Sequence, residues 1–393
     1  QKYLHRQGID RLSPIARKVE REGTPNRRNV VLVFMESMSA NLMGTFGSDK
    51  KLTPYLDSLY QQSLSFSHFY SSGIHTNHGI YSTLYSFPAI MKRNAMKGSV
   101  IPVYSGLPTV LQENGYCNLF FMTHESQYDN MNAFLRTNGF DEIYAQENYP
   151  SEKVVNSFGV QDDFMYQYAL PILNERAGTG NPFFSVLLSI SNHPPYVIPP
   201  YFHPHSDVLE EQIVEYADWS IRQFMQAAEK QPWFDNTIFV FLGDHGKMVG
   251  TPECEMPQSY NHIPLMIYGK DIKPGVYDGF GGQVDVSPTL LGLLNISYLQ
   301  NNFGVNLLEE ERPCMFFTAD NLIGARDSVN MFIYSPDSQQ EFKYKLEEGK
   351  LHAATGTDEE AFRNLKDYCF SMLQSTESLV KEHKTLDKVS VKK

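Results

Sequence analysis

The run Thr237-Ile238-Phe239-Val240-Phe241-Leu242, followed by Gly243-Asp244-His245-Gly246, decides how this chain is read. Six consecutive apolar or β-branched residues, closed by glycine, predict a strand buried on both faces. In open α/β sheets, ligands bind at the carboxyl ends of strands. A carboxylate and an imidazole at such an end, flanked by small glycines, offer a divalent metal two donors close to backbone. The bland alternative is a strand-end turn without a metal. Near the start of the chain, Asn29-Val30-Val31-Leu32-Val33-Phe34-Met35 repeats the buried-strand pattern and ends in Glu36-Ser37. Two strands that each deliver a metal-ligand type at one sheet edge are harder to explain by packing than either alone.

Other elements follow from local signals. Leu52-Thr53-Pro54 predicts an N-cap at Thr53 and proline at the first position of a helix near 54–63. Leu64–Tyr70 alternates as a strand, and the loop Ser71-Ser72-Gly73-Ile74-His75-Thr76 leads into a helix from Thr76 to about Leu84. Strands are expected at 117–122, 183–190 and 263–268, amphipathic helices at about 161–176 and 215–230, and a helix capped by Ser287 with Pro288 at its first position. The alternation predicts an α/β fold with a mostly parallel sheet sandwiched by helices. Beyond about residue 300, short antiparallel strands at 332–334, 342–345 and 350–352 and a helix near 359–385 predict a small α+β subdomain. The expected division is a lead-in over 1–28, a main domain over 29–300 and the subdomain over 301–393.

The length of 393 residues suits one large domain with an appendage. A net charge of −12 argues against nucleic-acid binding. The lead-in runs against that charge: Lys2, Arg6, Arg11, Arg17, Lys18, Arg21, Arg27 and Arg28 face only Asp10, Glu20 and Glu22. The stretch from Lys381 to Lys393 is basic again, and either end suits anionic lipid or plain solvent. Cys117, Cys254, Cys314 and Cys369 show no zinc spacing. No run of about 18 apolar residues is present to span a membrane. The first residue is Gln1 rather than Met, which reads as a fragment of a longer protein.

Glu36, Asp244 and His245 are the candidate metal ligands, and three ligands leave an open position for chemistry. A hydroxyl at a helix N-terminus beside that metal would be activated, and the helix end would favour an incoming phosphate. Ser71, Ser72 and Thr76 all meet this chemistry, and position in the loop favours Thr76. A helix cap is the plain alternative for Thr76. His75, His78 and His124 are read as supporting or surface groups, Lys247 as an exposed lysine by default with a phosphate contact as the alternative, and Asp57 and Asp285 as helix and turn chemistry.

Six segments occur in order: 29–37, Leu-Thr-Pro-Tyr-Leu-Asp at 52–57, the Thr76 loop, Ser-Asn-His-Pro-Pro at 191–195, Gly-Asp-His-Gly at 243–246, and Gly-Gly-Gln-Val-Asp-Val-Ser-Pro-Thr-Leu-Leu at 281–291. Together they resemble the extracellular catalytic domain of the lipoteichoic acid synthase family, in the sulfatase-like branch of the alkaline phosphatase superfamily, over about residues 29–295. The resemblance implies an alkaline phosphatase/sulfatase-like fold. It implies Thr76 as nucleophile and one Mn²⁺ or Mg²⁺ site, with Zn²⁺ also tolerated, held by Glu36, Thr76, Asp244 and His245. His193 matches a substrate-contacting histidine, and His262 stands where related phosphoethanolamine transferases place one.

The implied reaction is transfer of a phosphoglycerol-type head group from a membrane phospholipid to a hydroxyl of a cell-envelope glycan or glycolipid, through a phospho-threonine. The implied place is the extracytoplasmic, periplasmic face of the bacterial inner membrane, with transmembrane helices preceding this domain and the basic lead-in as connector. One departure bears on specificity. Gram-positive polymerases of the family place a Trp and an Arg ahead of the Gly-aromatic pair matched by Gly139-Phe140, where this chain has Asp129 and Met131. Loss of the Arg removes a bidentate phosphate donor, and the Asp-Asn-Met form resembles Gram-negative phosphoglycerol transferases that act on periplasmic glucans. The rival functions are a phosphoethanolamine transferase, a phosphodiesterase, a sulfatase and a receptor without activity. Sulfatase activity is disfavoured because a threonine cannot yield the formylglycine that sulfatases make from Cys or Ser.

Overall fold

A computed structural model describes residues 3–4, 6–354 and 359–388. Every residue of β1, Asn29–Met35, is buried. Val30, Leu32 and Phe34 enter one apolar core, and Val31, Val33 and Met35 the other. A strand whose alternate residues feed two cores is covered on both sides, which is why it reads as a continuous apolar run. The same holds for Phe183–Leu188 and Thr237–Gly243.

The eight strands of the central sheet are β1, β2 (Leu64–Tyr70), β3 (Cys117–Met122), β4 (Glu142–Tyr144), β5 (Phe183–Leu188), β6 (Thr237–Gly243), β7 (Leu265–Tyr268) and β8 (Gly275–Gly282). They lie in the order β8-β2-β7-β6-β1-β5-β3-β4. Only β7 runs against the rest, pairing antiparallel with both β6 and β2, so the sheet is mixed but mostly parallel as expected. β4 and β8 lie outside the strands expected from sequence. β4 has three residues, and β8, Gly-Val-Tyr-Asp-Gly-Phe-Gly-Gly, is a glycine-rich edge strand with much of its length exposed.

The second sheet is antiparallel: β9 (Met315–Thr318), β10 (Ile323–Arg326), β11 (Asn330–Ser335), β12 (Gln340–Glu347) and β13 (Lys350–Ala353), in chain order. The helix Glu359–Lys381 buries Phe362, Leu365, Tyr368, Cys369 and Met372. This is the expected α+β unit, with two more strands than the sequence displayed.

The lead-in is packed onto the main body. Leu4, Leu12, Ile15 and Ala16 are buried, and Arg17–Val19 pairs antiparallel with Tyr298–Gln300. The Arg6 guanidinium donates to the carbonyls of Ile15 (2.9 Å), Asn302 (2.5 Å) and Gly304 (2.5 Å). Arg17 and Arg21 pair with Glu310 and Glu309, so part of the basic excess is matched within the fold. Residues 389–393, the end of the basic C-terminal stretch, lie outside the described residues.

Two local expectations are corrected. Ser287 is not a cap: the helix already runs from Val286, and Ser287 Oγ donates to the carbonyls of Thr83 (2.6 Å) and Leu84 (3.2 Å), joining two helices. Asp285 does more than turn chemistry. It is fully buried and takes two 2.7 Å bonds from Arg312 while accepting the Gly282 and Val305 N–H groups. Arg312→Met strands that carboxylate, and breaking a buried pair from one side costs about 3–5 kcal/mol. Urea unfolding is expected to show a loss of that size.

Candidate active site

Sheet register assembles the site. Met35 lies opposite Gly243 in the parallel pair β1–β6, so the next residues, Glu36 and Asp244, emerge side by side. Across β7, in the β2–β8 pair, Tyr70 lies opposite Gly282, which brings the Ser71–Thr76 loop against Gln283. Glu36 and Asp244 are almost fully buried, and the His245 side chain is 12% exposed.

Asp244 divides its oxygens between two tasks. Oδ1 accepts the N–H groups of Ser37 (2.9 Å) and His245 (2.7 Å). Oδ2 is buried without a hydrogen-bond partner and lies 3.5 Å from His245 Nε2. His245 Nδ1 is 2.7 Å from the Gly246 carbonyl, so Nδ1 carries the proton and Nε2 presents its lone pair to the carboxylates. Glu36 Oε1 is 3.7 Å from that nitrogen and accepts Ser37 Oγ–H at 2.6 Å. Burial, then the Asp244 charge, push the Glu36 carboxyl well above its ordinary range. Among the described residues, Glu36, Asp244 and His245 have ligand atoms all within 4.8 Å of one another. Two buried carboxylates, one orphaned oxygen and a free imidazole lone pair fit a divalent cation, whose charge would offset their repulsion.

Thr76 opens the helix Thr76–Tyr85. Its Oγ1 donates to Glu36 Oε2 at 3.3 Å. The competing hydroxyls are engaged elsewhere: Ser71 Oγ donates to the Gly73 carbonyl (2.9 Å), and Ser72 Oγ accepts the Ala89 N–H (2.6 Å). The helix approaches β6 backbone to backbone through Gly79, where a Cβ would sit 2.3 Å from the Asp244 carbonyl oxygen. Gly79→Ala must move either the helix or Asp244. The expected result is loss of metal-induced stabilisation, read as a melting temperature that no longer responds to Mn²⁺.

Three supports were not assigned roles from sequence. Gln283 Nε2 donates to the carbonyls of Gly243 (3.1 Å) and Asp244 (2.7 Å), while its Oε1 accepts the Ser72 N–H (2.9 Å). This one amide ties the β6 end to the nucleophile loop. Gln283→Ala leaves those buried groups unpaired, and thermal unfolding is expected to report a loss of about 2–3 kcal/mol. Asn192 Nδ2 donates to the Glu36 and Ser37 carbonyls, and its Oδ1 accepts from Lys247 Nζ at 2.6 Å. The second sheet braces the same loop: Thr318 N–H donates to the Ser72 carbonyl (2.8 Å), and Asp320 Oδ1 lies 2.5 Å from His75 Nε2. The motifs at 191–195 and 281–291 held the signal for Asn192 and Gln283; nothing local marks Thr318.

Lys247 departs from its reading as an exposed lysine. It is partly buried beneath the Asn192 contact and above the Tyr196 ring (5.4 Å), and burial lowers its ammonium to about 8. His193 Nδ1 lies 2.6 Å from the Pro194 carbonyl, and its ring packs 4.2 Å from that of Phe158. His262 does not join the cluster: its Nε2–H donates to the Ser67 carbonyl (2.8 Å), its ring stacks on Tyr70 at 5.3 Å, and burial lowers its pKa to about 4. His78 is buried with Nε2 on the Arg93 carbonyl. His124 is buried with an unpartnered Nε2, under the Tyr128 ring at 4.7 Å. Of the two divergent positions, Met131 is fully buried. Asp129 accepts from Asn77, the residue after Thr76, and from Lys97.

Comparison with known proteins agrees with this architecture. The family described as Sulfatase matches residues 28–296. The chain belongs to the sulfatase family. Its curated relatives include Lipoteichoic acid synthase-like YvgJ of Bacillus subtilis, 25% identical over 74% of this chain and 51% of the relative. Another is lipoteichoic acid synthase of Staphylococcus aureus, 23% identical over 80% of this chain and 53% of the relative. This sulfatase-family chain thus spans about half the length of the curated relatives it matches. Among solved structures, a protein of the alkaline phosphatase superfamily from Vibrio parahaemolyticus superposes with a TM-score of 0.87 at 25% identity, covering 98% and 95% of the two chains. The lipoteichoic acid synthase LtaP from Listeria monocytogenes gives 0.75 at 22%, covering 92% and 96%. The sulfatase-family members it resembles are enzymes of the alkaline phosphatase superfamily, and this one shares their fold.

Proposed function

We propose that this protein transfers a phosphoglycerol-type head group from a membrane phospholipid to the hydroxyl of a cell-envelope glycan or glycolipid. The observation that carries the reading is the Thr76 hydroxyl at a helix N-terminus, donating to Glu36 beside Asp244 and His245. The lipoteichoic acid synthase relatives support this class of reaction. Glu36, Asp244 and His245, with Thr76, would hold a divalent cation, whose charge would favour ionisation of the hydroxyl and offset the phosphate.

The residues then divide the work. Thr76 Oγ bonds to phosphorus as the bond between phosphorus and the diacylglycerol oxygen breaks. The helix N-terminus offers free N–H groups to the phosphate oxygens, and Lys247, held by Asn192, adds positive charge. The leaving oxygen takes a proton. In the second step the acceptor hydroxyl loses one, its oxygen bonds to phosphorus, and Thr76 leaves as the same alkoxide that attacked in the first step. We assign both proton transfers to His193 rather than His262. With Nδ1–H on the Pro194 carbonyl, His193 keeps Nε2 for exchange, whereas His262 spends its Nε2–H on Ser67. A lipid donor sets this work at a membrane surface, on the extracytoplasmic side. Among the described residues, no helix is long and apolar enough to cross a membrane.

The test is diacylglycerol release from phosphatidylglycerol vesicles with Mn²⁺ and after chelation. Release that needs the metal and exceeds release from phosphatidylethanolamine supports the reading. Equal or greater release from phosphatidylethanolamine would replace phosphoglycerol with phosphoethanolamine as the transferred group.

A further inference from the structure

Tyr128, Phe158 and His193 form a connected set of rings that core packing does not explain. Tyr128 and Phe158 are centred 6.2 Å apart, and Phe158 and His193 4.2 Å apart. Tyr128 is 44% exposed and Phe158 partly exposed, and neither joins an apolar core. Leaving aromatic area in water forgoes burial energy that a core position would gain.

The platform is held firmly and lies beside the site. Phe158 rides on the ribbon formed by Val154–Asn156 and Gly159–Val160. Asn156 Nδ2 donates to the Pro195 carbonyl (3.2 Å), and its Oδ1 accepts the Phe158 N–H (2.8 Å). At Gly159 (φ +92°) a Cβ would lie 1.8 Å from the Thr123 carbonyl oxygen, so the ribbon is pressed onto the end of β3. Tyr128 is followed by Asp129, which Asn77 ties to the nucleophile helix.

Charge narrows the occupant. Lys97 and Asp129 pair at 3.0 Å, so together they offer no net charge, and the Met131 side chain is buried. Flat apolar faces edged by an imidazole nitrogen, a phenol and amides suit a neutral ring with apolar faces and a hydroxylated rim. We propose that Tyr128, Phe158 and His193 seat a neutral sugar ring of the acceptor. This builds on the transfer reading for its catalytic consequence, while the sugar contact can be measured without it.

The experiment titrates the full chain with a soluble β-linked glucose hexasaccharide, followed by NMR. Wild type and Phe158→Trp are expected to bind, and Phe158→Leu, which keeps apolar bulk but removes the ring, to bind about tenfold more weakly. Melting curves of both variants confirm that they are folded. Equal affinity of Phe158→Leu and wild type overturns the proposal, as does absence of sugar binding by the wild-type protein. So does a Phe158→Leu defect confined to phosphatidylglycerol vesicles. A phosphoglycerol adduct on Thr76, measured separately, distinguishes the readings. Sugar binding without an adduct supports the platform and counts against transfer; an adduct without sugar binding does the reverse.

Discussion

With Thr76 replaced by alanine, diacylglycerol release from vesicles is expected to fall by at least about 10³-fold, the loss typical of removing a covalent nucleophile. Stability should barely move. Thr76 is partly exposed, and its hydroxyl makes one 3.3 Å bond, to Glu36, so its removal is expected to cost under about 1 kcal/mol. The pairing of the two results matters. A variant that loses turnover with an unchanged melting temperature has lost chemistry rather than its fold. Thr76→Ser, which keeps a hydroxyl, should retain measurable turnover. Release by Thr76→Ala at a wild-type rate would remove the residue from the mechanism.

Glu36→Gln should separate metal binding from folding. In the metal-free protein, Glu36 and Asp244 are two buried carboxylates set against one another, and neutralising one relieves that repulsion. Metal-free Glu36→Gln is therefore expected to melt above metal-free wild type. Added Mn²⁺ should reverse the order. A ligand at about 1,000 times its dissociation constant stabilises the folded state by about 4 kcal/mol, and the variant has lost a charged ligand. Turnover should fall with the metal response. A wild-type melting temperature indifferent to Mn²⁺ and Mg²⁺ would argue against a cation at this site.

The fold was legible where burial leaves its mark on residue type. β1, β5 and β6 are covered on both faces, so their sequences are apolar throughout, and Glu36 and Asp244-His245 stand out at their ends. The pairing of Met35 with Gly243 then turns two separate sequence patterns into one cluster. β8 was not legible because four of its eight residues are glycine and much of it is exposed. The cap reading of Ser287 fails and the turn reading of Asp285 is incomplete, because cap and turn residues are the same types that make long-range hydrogen bonds inside a protein. Their partners, Thr83 and Arg312, are chosen by tertiary packing. The brace of Thr318 on Ser72 joins residues far apart in the chain and has no local signature. Ser71, Ser72 and Thr76 were equivalent as chemistry, and only the hydrogen bonds of the folded loop separate them.

The most direct test is intact-mass spectrometry of the Mn²⁺-loaded protein after incubation with phosphatidylglycerol vesicles, with Thr76→Ala alongside. The account predicts a phosphoglycerol adduct on the wild-type chain, mapped by fragmentation to Thr76 and missing from the variant. Diacylglycerol release with no trapped adduct under rapid quench, or an adduct on any other residue, would contradict it.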